Sequence, residues 1–181
     1  MRRLLASGGA EIAEAALVLP VIFIFLLGVI WFGRAFNIYS TITQAAQQGA
    51  LVAARPACAT CANPSSVWAG NPTFPGDTIV FNTISAVMQA SNIDPSQMVT
   101  NSGPPSGPCV TTNNVTICRE VWLNPPPPPT SPQACTLPPT QFQVCGTTVS
   151  FQYPFQFYLP FTSLNLARVV LSAQAQSRME N

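Results

Sequence analysis

Ser7-Gly8-Gly9-Ala10-Glu11-Ile12-Ala13-Glu14 runs directly into Ala15-Ala16-Leu17-Val18-Leu19-Pro20-Val21-Ile22-Phe23-Ile24-Phe25-Leu26-Leu27-Gly28-Val29-Ile30-Trp31-Phe32-Gly33. The second stretch is nineteen residues without a charge. As a helix rising about 1.5 Å per residue, it crosses roughly 30 Å of hydrocarbon. The sequence therefore describes a membrane-attached chain. A removable secretory signal fits poorly, because Arg34-Ala35-Phe36-Asn37-Ile38-Tyr39 stands where a small-x-small cleavage site is needed. Two readings stand at this point. A plain signal anchor accounts for the apolar run and for Arg2 and Arg3, and leaves Glu14 among the headgroups. In the other reading Gly9 precedes a prepilin-type cleavage, Ala10 becomes the new N-terminus and Glu14 is the fifth residue of the mature chain. A carboxylate at the lip of an apolar helix costs free energy unless it reaches headgroup water or a cation. The amine released by cutting after Gly9 is such a cation in a helical assembly.

Charge and cysteine placement set an expected orientation. Arg2, Arg3 and the initiator amine precede the span and favour a cytoplasmic N-terminus, opposed only by Arg34 on the far side. All six cysteines, Cys58, Cys61, Cys109, Cys118, Cys135 and Cys145, follow the span. An even set confined to one side points to an oxidising compartment, so the bulk of the chain is expected to be exported. Composition agrees, since charged residues make up 7% of the chain, with no Lys and no His. From Ala35 onward Arg55, Arg119, Arg168 and Arg178 balance Asp77, Asp94, Glu120 and Glu180, and a neutral surface gives no electrostatic reason to hold nucleic acid.

The organisation reads as a cytoplasmic leader-like segment at 1–9, a transmembrane helix with an extracytoplasmic extension at 10–55, and one exported α+β domain at 56–181. Trp31, Ala35, Ile38, Ile42, Ala45, Gly49 and Val52 recur at alternating steps of four and three residues, which makes a helical seam. Pro56 ends it by disfavouring the helical conformation of Arg55. If continuous, this helix is a rod of roughly 70 Å. The small residues Ala45, Gly49 and Ala53 admit a close backbone, either a partner helix or the chain's own domain. After a turn-rich loop from Pro56 to Gly76, Asp77 or Thr78 is expected to cap a second helix. Val80, Ile84, Val87 and Met88 share one of its faces, and Asn92 with Pro95 closes it.

That helix is expected to lie on an antiparallel sheet. Gln97 to Thr100 is a short strand candidate. Cys109–Thr112 and Val115–Cys118 flank Asn113-Asn114, residues that tolerate the positive φ of a two-residue hairpin turn. Counting outward from the turn puts Cys109 opposite Cys118 at a non-hydrogen-bonded pair, where Cα atoms are about 4.5 to 5.5 Å apart and a disulfide can form. Pro125 to Pro129 form a stiff surface spacer. From Thr147, Val149, Phe151, Tyr153, Phe155 and Phe157 alternate with Thr148, Ser150, Gln152 and Gln156, the clearest strand in the chain. Val169, Leu171, Ala173 and Ala175 repeat the pattern against Ser172, Gln174, Gln176 and Arg178. These two long strands, joined near Pro160 to Ser163, are expected to centre the sheet.

Little in the chain points to catalysis. Cys58-Ala59-Thr60-Cys61 has redox spacing, but it follows a helix end instead of preceding a helix start and has no adjacent cation, so a short structural bridge is the better reading. Zinc would require four of the six thiols, and export favours disulfides. Asp77 and Asp94 have structural uses near a helix start and a turn, and no histidine or lysine serves as a general base. Asn114-Val115-Thr116 is a glycosylation sequon by pattern. No catalytic residue, metal site or cofactor is expected, and the chain reads as non-enzymatic. The rival readings are a membrane-tethered binding module and a thiol-disulfide protein using Cys58 and Cys61.

The stretches Gly9-Ala10-Glu11-Ile12-Ala13-Glu14-Ala15-Ala16-Leu17-Val18-Leu19-Pro20, Gly28-Val29-Ile30-Trp31-Phe32-Gly33-Arg34-Ala35-Phe36, Ala45-Ala46-Gln47-Gln48-Gly49-Ala50 and Ala53-Ala54-Arg55 resemble the TadE/TadG-like proteins, pseudopilins or minor pilins of the tight-adherence (Flp) pilus system. The tail, Val149-Ser150-Phe151-Gln152-Tyr153-Pro154-Phe155 with Ser177-Arg178-Met179-Glu180, is similar too. The resemblance implies a pilin-like exported domain on a single inner-membrane helix, with a cytoplasmic N-terminus. It also implies work alongside other pilin or pseudopilin subunits, the pilus assembly machinery and a prepilin peptidase that cuts after Gly9. Glu14 falls at the position that pairs with the mature amine, while Ala15 stands where pilins of this system usually carry Tyr.

Overall fold

A computed structural model describes residues 7–56, 73–100, 108–123, 133–135, 144–156 and 168–179. The chain divides into two compact units, Met1–Asn37 and Ile38–Asn181. The second unit takes in the part of the first helix from Ile38 onward as well as the segment that follows it.

Helix α1 runs unbroken through Ser7–Ala54 and carries Pro20 inside it. In the first unit its large side chains are exposed all round, from Leu17 at 73% through Phe25 at 71% to Phe32 at 79%. Among the described residues it is the one helix long and apolar enough to cross a membrane. An all-round apolar surface on a helix of this length suits hydrocarbon.

In the second unit the rest of α1 becomes amphipathic. Ile42, Ala45, Ala46, Ala50 and Ala53 are buried, while Gln44, Gln47 and Gln48 stay exposed. Helix α2, Asp77–Ala90, buries Val80, Ile84 and Met88 at i, i+4 spacing. Its N-cap is Gly76, in extended conformation and without a side-chain cap, in place of the expected Asp77 or Thr78. The Asp77 carboxylate is drawn instead to Arg119. At the other end Asn92 takes a φ of 55°. The Ile93 amide donates to the Met88 carbonyl at 2.9 Å and the Asn92 amide to that of Gln89 at 3.0 Å. This is a Schellman closure with Asn at the left-handed position and the buried Ile93 beyond it.

Four strands follow: β1 Cys109–Thr112, β2 Val115–Trp122, β3 Cys145–Phe155 and β4 Val169–Arg178, in sheet order β1-β2-β3-β4. All neighbours are antiparallel. The β1–β2 hairpin has the register counted from its turn, Cys109 opposite Cys118 and Thr112 opposite Val115. Asn113 and Asn114 turn at φ 48° and 67°. Two expectations change. Among the described residues β4 pairs with β3 alone and lies at an edge, so the centre of the sheet is β2–β3; alternation reveals a buried face but not the number of neighbours. The candidate strand Gln97–Thr100 reduces to a single bridge, Val99 with Gln152. Pro95–Gln97 form a 3-10 turn whose first available amide is met by the Asp94 carboxylate, which accepts from the Ser96 amide at 2.9 Å and from the Ser96 hydroxyl at 2.8 Å. The joining segment near Pro160 to Ser163, Phe157 and the proline run lie outside the described residues.

The core joins α1 and α2 to one sheet face. Ile42, Ala46, Ile84 and Met88 share a cluster with Ile117, Val149, Phe151 and Ala173. The opposite face carries Thr111 and Thr116, whose hydroxyls lie 3.1 Å apart across the hairpin.

Candidate functional site

The residues singled out by sequence lie on α1 and on the disulfide framework. Gly9 and Ala10 fall in the first turns of α1. Glu14 is exposed one turn further on, at the lip of the apolar surface. The helix therefore carries both the candidate cleavage position and the candidate charge partner of a new amine on one continuous element.

Ala45 and Gly49, the candidate assembly residues, both lie in the packing of the second unit. Ala45 is fully buried. A Cβ built on Gly49 would stand 2.7 Å from Ile84 Cγ1, 2.8 Å from Ile84 Cδ1 and 3.7 Å from Val149 Cγ1. Their small size lets α2 and the sheet approach α1 within the chain itself. Within the chain this is packing on its own domain, the second of the two readings open from sequence.

Cys109 is bonded to Cys118 and Cys135 to Cys145. The second bond depends on a feature sequence reasoning did not find. The 133–135 segment docks beside β2, the Trp122 amide donating to the Gln133 carbonyl at 2.9 Å and the Cys135 amide to the Glu120 carbonyl at 2.8 Å. That docking places Cys135 by Cys145, the register partner of Trp122. No described cysteine is free. Cys58 and Cys61 lie outside the described residues.

Arg119 forms the second unrecognised link. Two residues of β2, Arg119 and Glu120, oppose the single residue Thr147 of β3, because Cys118 pairs with Thr148 and Val121 with Gly146. Glu120 adopts a φ of 53° in this bulge, and the Arg119 guanidinium reaches both the Asp77 carboxylate and, at 2.8 Å, the Pro75 carbonyl. The pair fastens the start of α2 to the sheet. Asp94 is held below the usual carboxylate range, first by the Ser96 amide and then by the Ser96 hydroxyl. The Asn114 side-chain amide of the sequon donates to the Met98 carbonyl at 2.8 Å, so it serves the fold. A shallow cavity of about 140 Å³ beside the end of α1 is lined by Leu51, Ala54, Arg55, Pro56, Ser177 and Arg178. It contains no acid or thiol. Among the described residues no group of three metal-ligating side chains converges.

Residues 9–51 match the TadE-like protein family. No curated protein and no solved structure matches the chain. The matched stretch lies wholly on α1, and this likeness suggests a protein related to the tight-adherence pilus.

Proposed function

We propose that this chain is a pseudopilin or minor-pilin-like structural subunit that supports assembly of a tight-adherence type pilus, anchored in the inner membrane by α1. Its N-terminus is cytoplasmic and its disulfide-bonded α+β domain lies outside the cytoplasm. It works with other pilin or pseudopilin subunits and the assembly machinery. A prepilin peptidase cuts after Gly9, leaving the Ala10 amine to be neutralised by Glu14.

One observation carries this reading: the TadE-like match at residues 9–51 falls on a single helix that is apolar all round in its first part and core-forming in its second. A bare tether has no need of the second part. Disulfides at Cys109–Cys118 and Cys135–Cys145 support an oxidising location for the domain.

The experiment is protease digestion of spheroplasts, combined with an intact mass of the membrane-extracted chain. The expected result is loss of the domain to external protease and a mass lacking Met1 to Gly9. Protection of the domain until lysis sinks the proposed topology. A full-length mass removes the processing step and leaves a permanent anchor.

A further inference from the structure

Charge in the first unit is confined to the two ends of its apolar helix. Glu11 and Glu14 stand before the apolar run, and Arg34 is the first charged side chain after it. Arg34 lies twenty positions after Glu14, about 30 Å of helix at 1.5 Å per residue, which matches the hydrocarbon thickness of a bilayer.

The far end has a particular chemistry. The guanidinium carbon of Arg34 lies 5.8 Å from the centre of the Trp31 ring, one turn earlier on the helix. Phe32 and Phe36, which flank it, are 79% and 71% exposed. The one ion pair among the described residues joins Arg119 to Asp77, so no described carboxylate neutralises Arg34. A delocalised cation over an indole, on a helix that also exposes Phe32 and Phe36, is poorly suited to bulk water and to the hydrocarbon centre alike. It suits the headgroup level, where rings sit among the upper acyl chains and a guanidinium can fork to a phosphate.

We propose that Arg34 and Trp31 form a binding site for the phosphate of an anionic phospholipid, on the membrane surface opposite Glu14, and that this site fixes the depth of the helix. The site rests on the reading of α1 as a membrane span. Sliding the helix towards its N-terminal side drags Arg34 into hydrocarbon, and sliding it the other way drags in Glu14. Both displacements are opposed.

The test uses the full chain in mixed micelles of phosphatidylglycerol and phosphatidylcholine, with lipid adducts counted by native mass spectrometry. Wild type is expected to retain phosphatidylglycerol preferentially. Arg34→Gln is expected to lower that preference about fivefold, the factor matching about 1 kcal/mol per basic residue near an anionic surface. Arg34→Lys, a point charge without the planar fork, should fall between them. The N-terminal segment with Arg2 and Arg3 is the same in every variant, kept or cut, so the difference isolates Arg34. An unchanged preference in Arg34→Gln overturns the site. Flotation of the same variants with phosphatidylcholine vesicles separates the underlying reading: a chain that does not float removes the span and the site together, whereas one that floats with an unchanged lipid preference removes the site alone.

Discussion

Substituting Gly49 by alanine separates packing within the chain from packing on a partner. In an exposed helix interior, Gly→Ala gains about 0.8 to 1 kcal/mol of helix propensity. Here the new methyl would lie 2.7 and 2.8 Å from two carbons of Ile84. Ile84 is itself fully buried, and Cγ1 is not the free end of its side chain, so rotating the terminal methyl does not clear the overlap. Overpacking of this kind costs about 1 to 3 kcal/mol. The expected net effect is destabilisation by about 1 kcal/mol, a drop of about 3 to 5 °C in melting temperature for a domain of this size. Near-UV circular dichroism melts of the full chain in detergent read it directly. Ile84→Ala should cost about 3 kcal/mol when Gly49 is kept. In the Gly49→Ala background it should cost about 2 kcal/mol less, the size of the overlap that truncating Ile84 removes. A rise in melting temperature for Gly49→Ala, or an additive cycle, refutes the contact and returns Gly49 to the role of an open surface for another helix.

Other expectations follow from the same coordinates. A Cβ on Gly146 would lie 2.3 Å from the Ser177 carbonyl oxygen and 2.5 Å from Leu123 Cδ1; the first obstacle is strand backbone, so Gly146→Ala should cost about 3 kcal/mol, more than Gly49→Ala in the same melt. Removing Cys109–Cys118, whose residues are nine apart in sequence, should cost about 2.5 kcal/mol by loop-closure entropy, read as a lower urea midpoint for the double alanine variant. Asp77→Ala loses an ion pair whose side chains are 20% and 24% exposed, and solvent screening limits the loss to about 1 kcal/mol, again a urea midpoint shift. The folded-state pKa of Asp94 is lowered, so its grip on the Pro95–Gln97 turn is complete above the ordinary carboxylate value of about 3.9 and fades as pH falls through the lower folded value. The protection factor of the Ser96 amide, its exchange rate corrected for the intrinsic pH dependence, should fall only in that acid range, and Asp94→Asn should remove this change; a loss of protection near neutral pH would contradict the assignment.

What was legible in the sequence was local. The β1–β2 register follows from counting away from Asn113 and Asn114, because a two-residue turn leaves no slack and both residues take positive φ. The buried face of α2 follows from one period. What was not legible depends on partners distant in the chain. Arg119 and Asp77 are forty-two residues apart, and the bulge that joins them breaks the very alternation a strand is recognised by. β2 therefore reads as ending at Cys118 when it continues to Trp122. The candidate assembly residues were ambiguous for another reason. Small residues at helical spacing report only that some backbone comes close; Ala45 and Gly49 carry the same signal whether that backbone belongs to a neighbour or to α2 and β3 of the same chain.

The placement of the TadE-like match gives that last point its weight. A likeness confined to a membrane tether would stop near Asn37, where the first unit ends. It continues instead to residue 51, across Ile42, Ala45, Ala46 and Ala50, all buried in the core of the second unit. The matched helix thus meets two different solvents. Up to Asn37 it offers large apolar side chains in every direction, and from Ile38 it offers small ones on one face and glutamines on the other. Stability of the second part comes from tertiary burial, since propensity and lipid contribute nothing there to holding a sheet. Substituting the first part by another apolar sequence should leave the domain's melting temperature unchanged. The same replacement from Ile38 to Leu51 should unfold it, because a Leu-sized side chain in place of Gly49 has no room against Ile84 and one in place of the fully buried Ala45 overfills the core. Retention of the folded domain in that second chimera, measured by the same melt, would mean that the TadE-like segment is an anchor only.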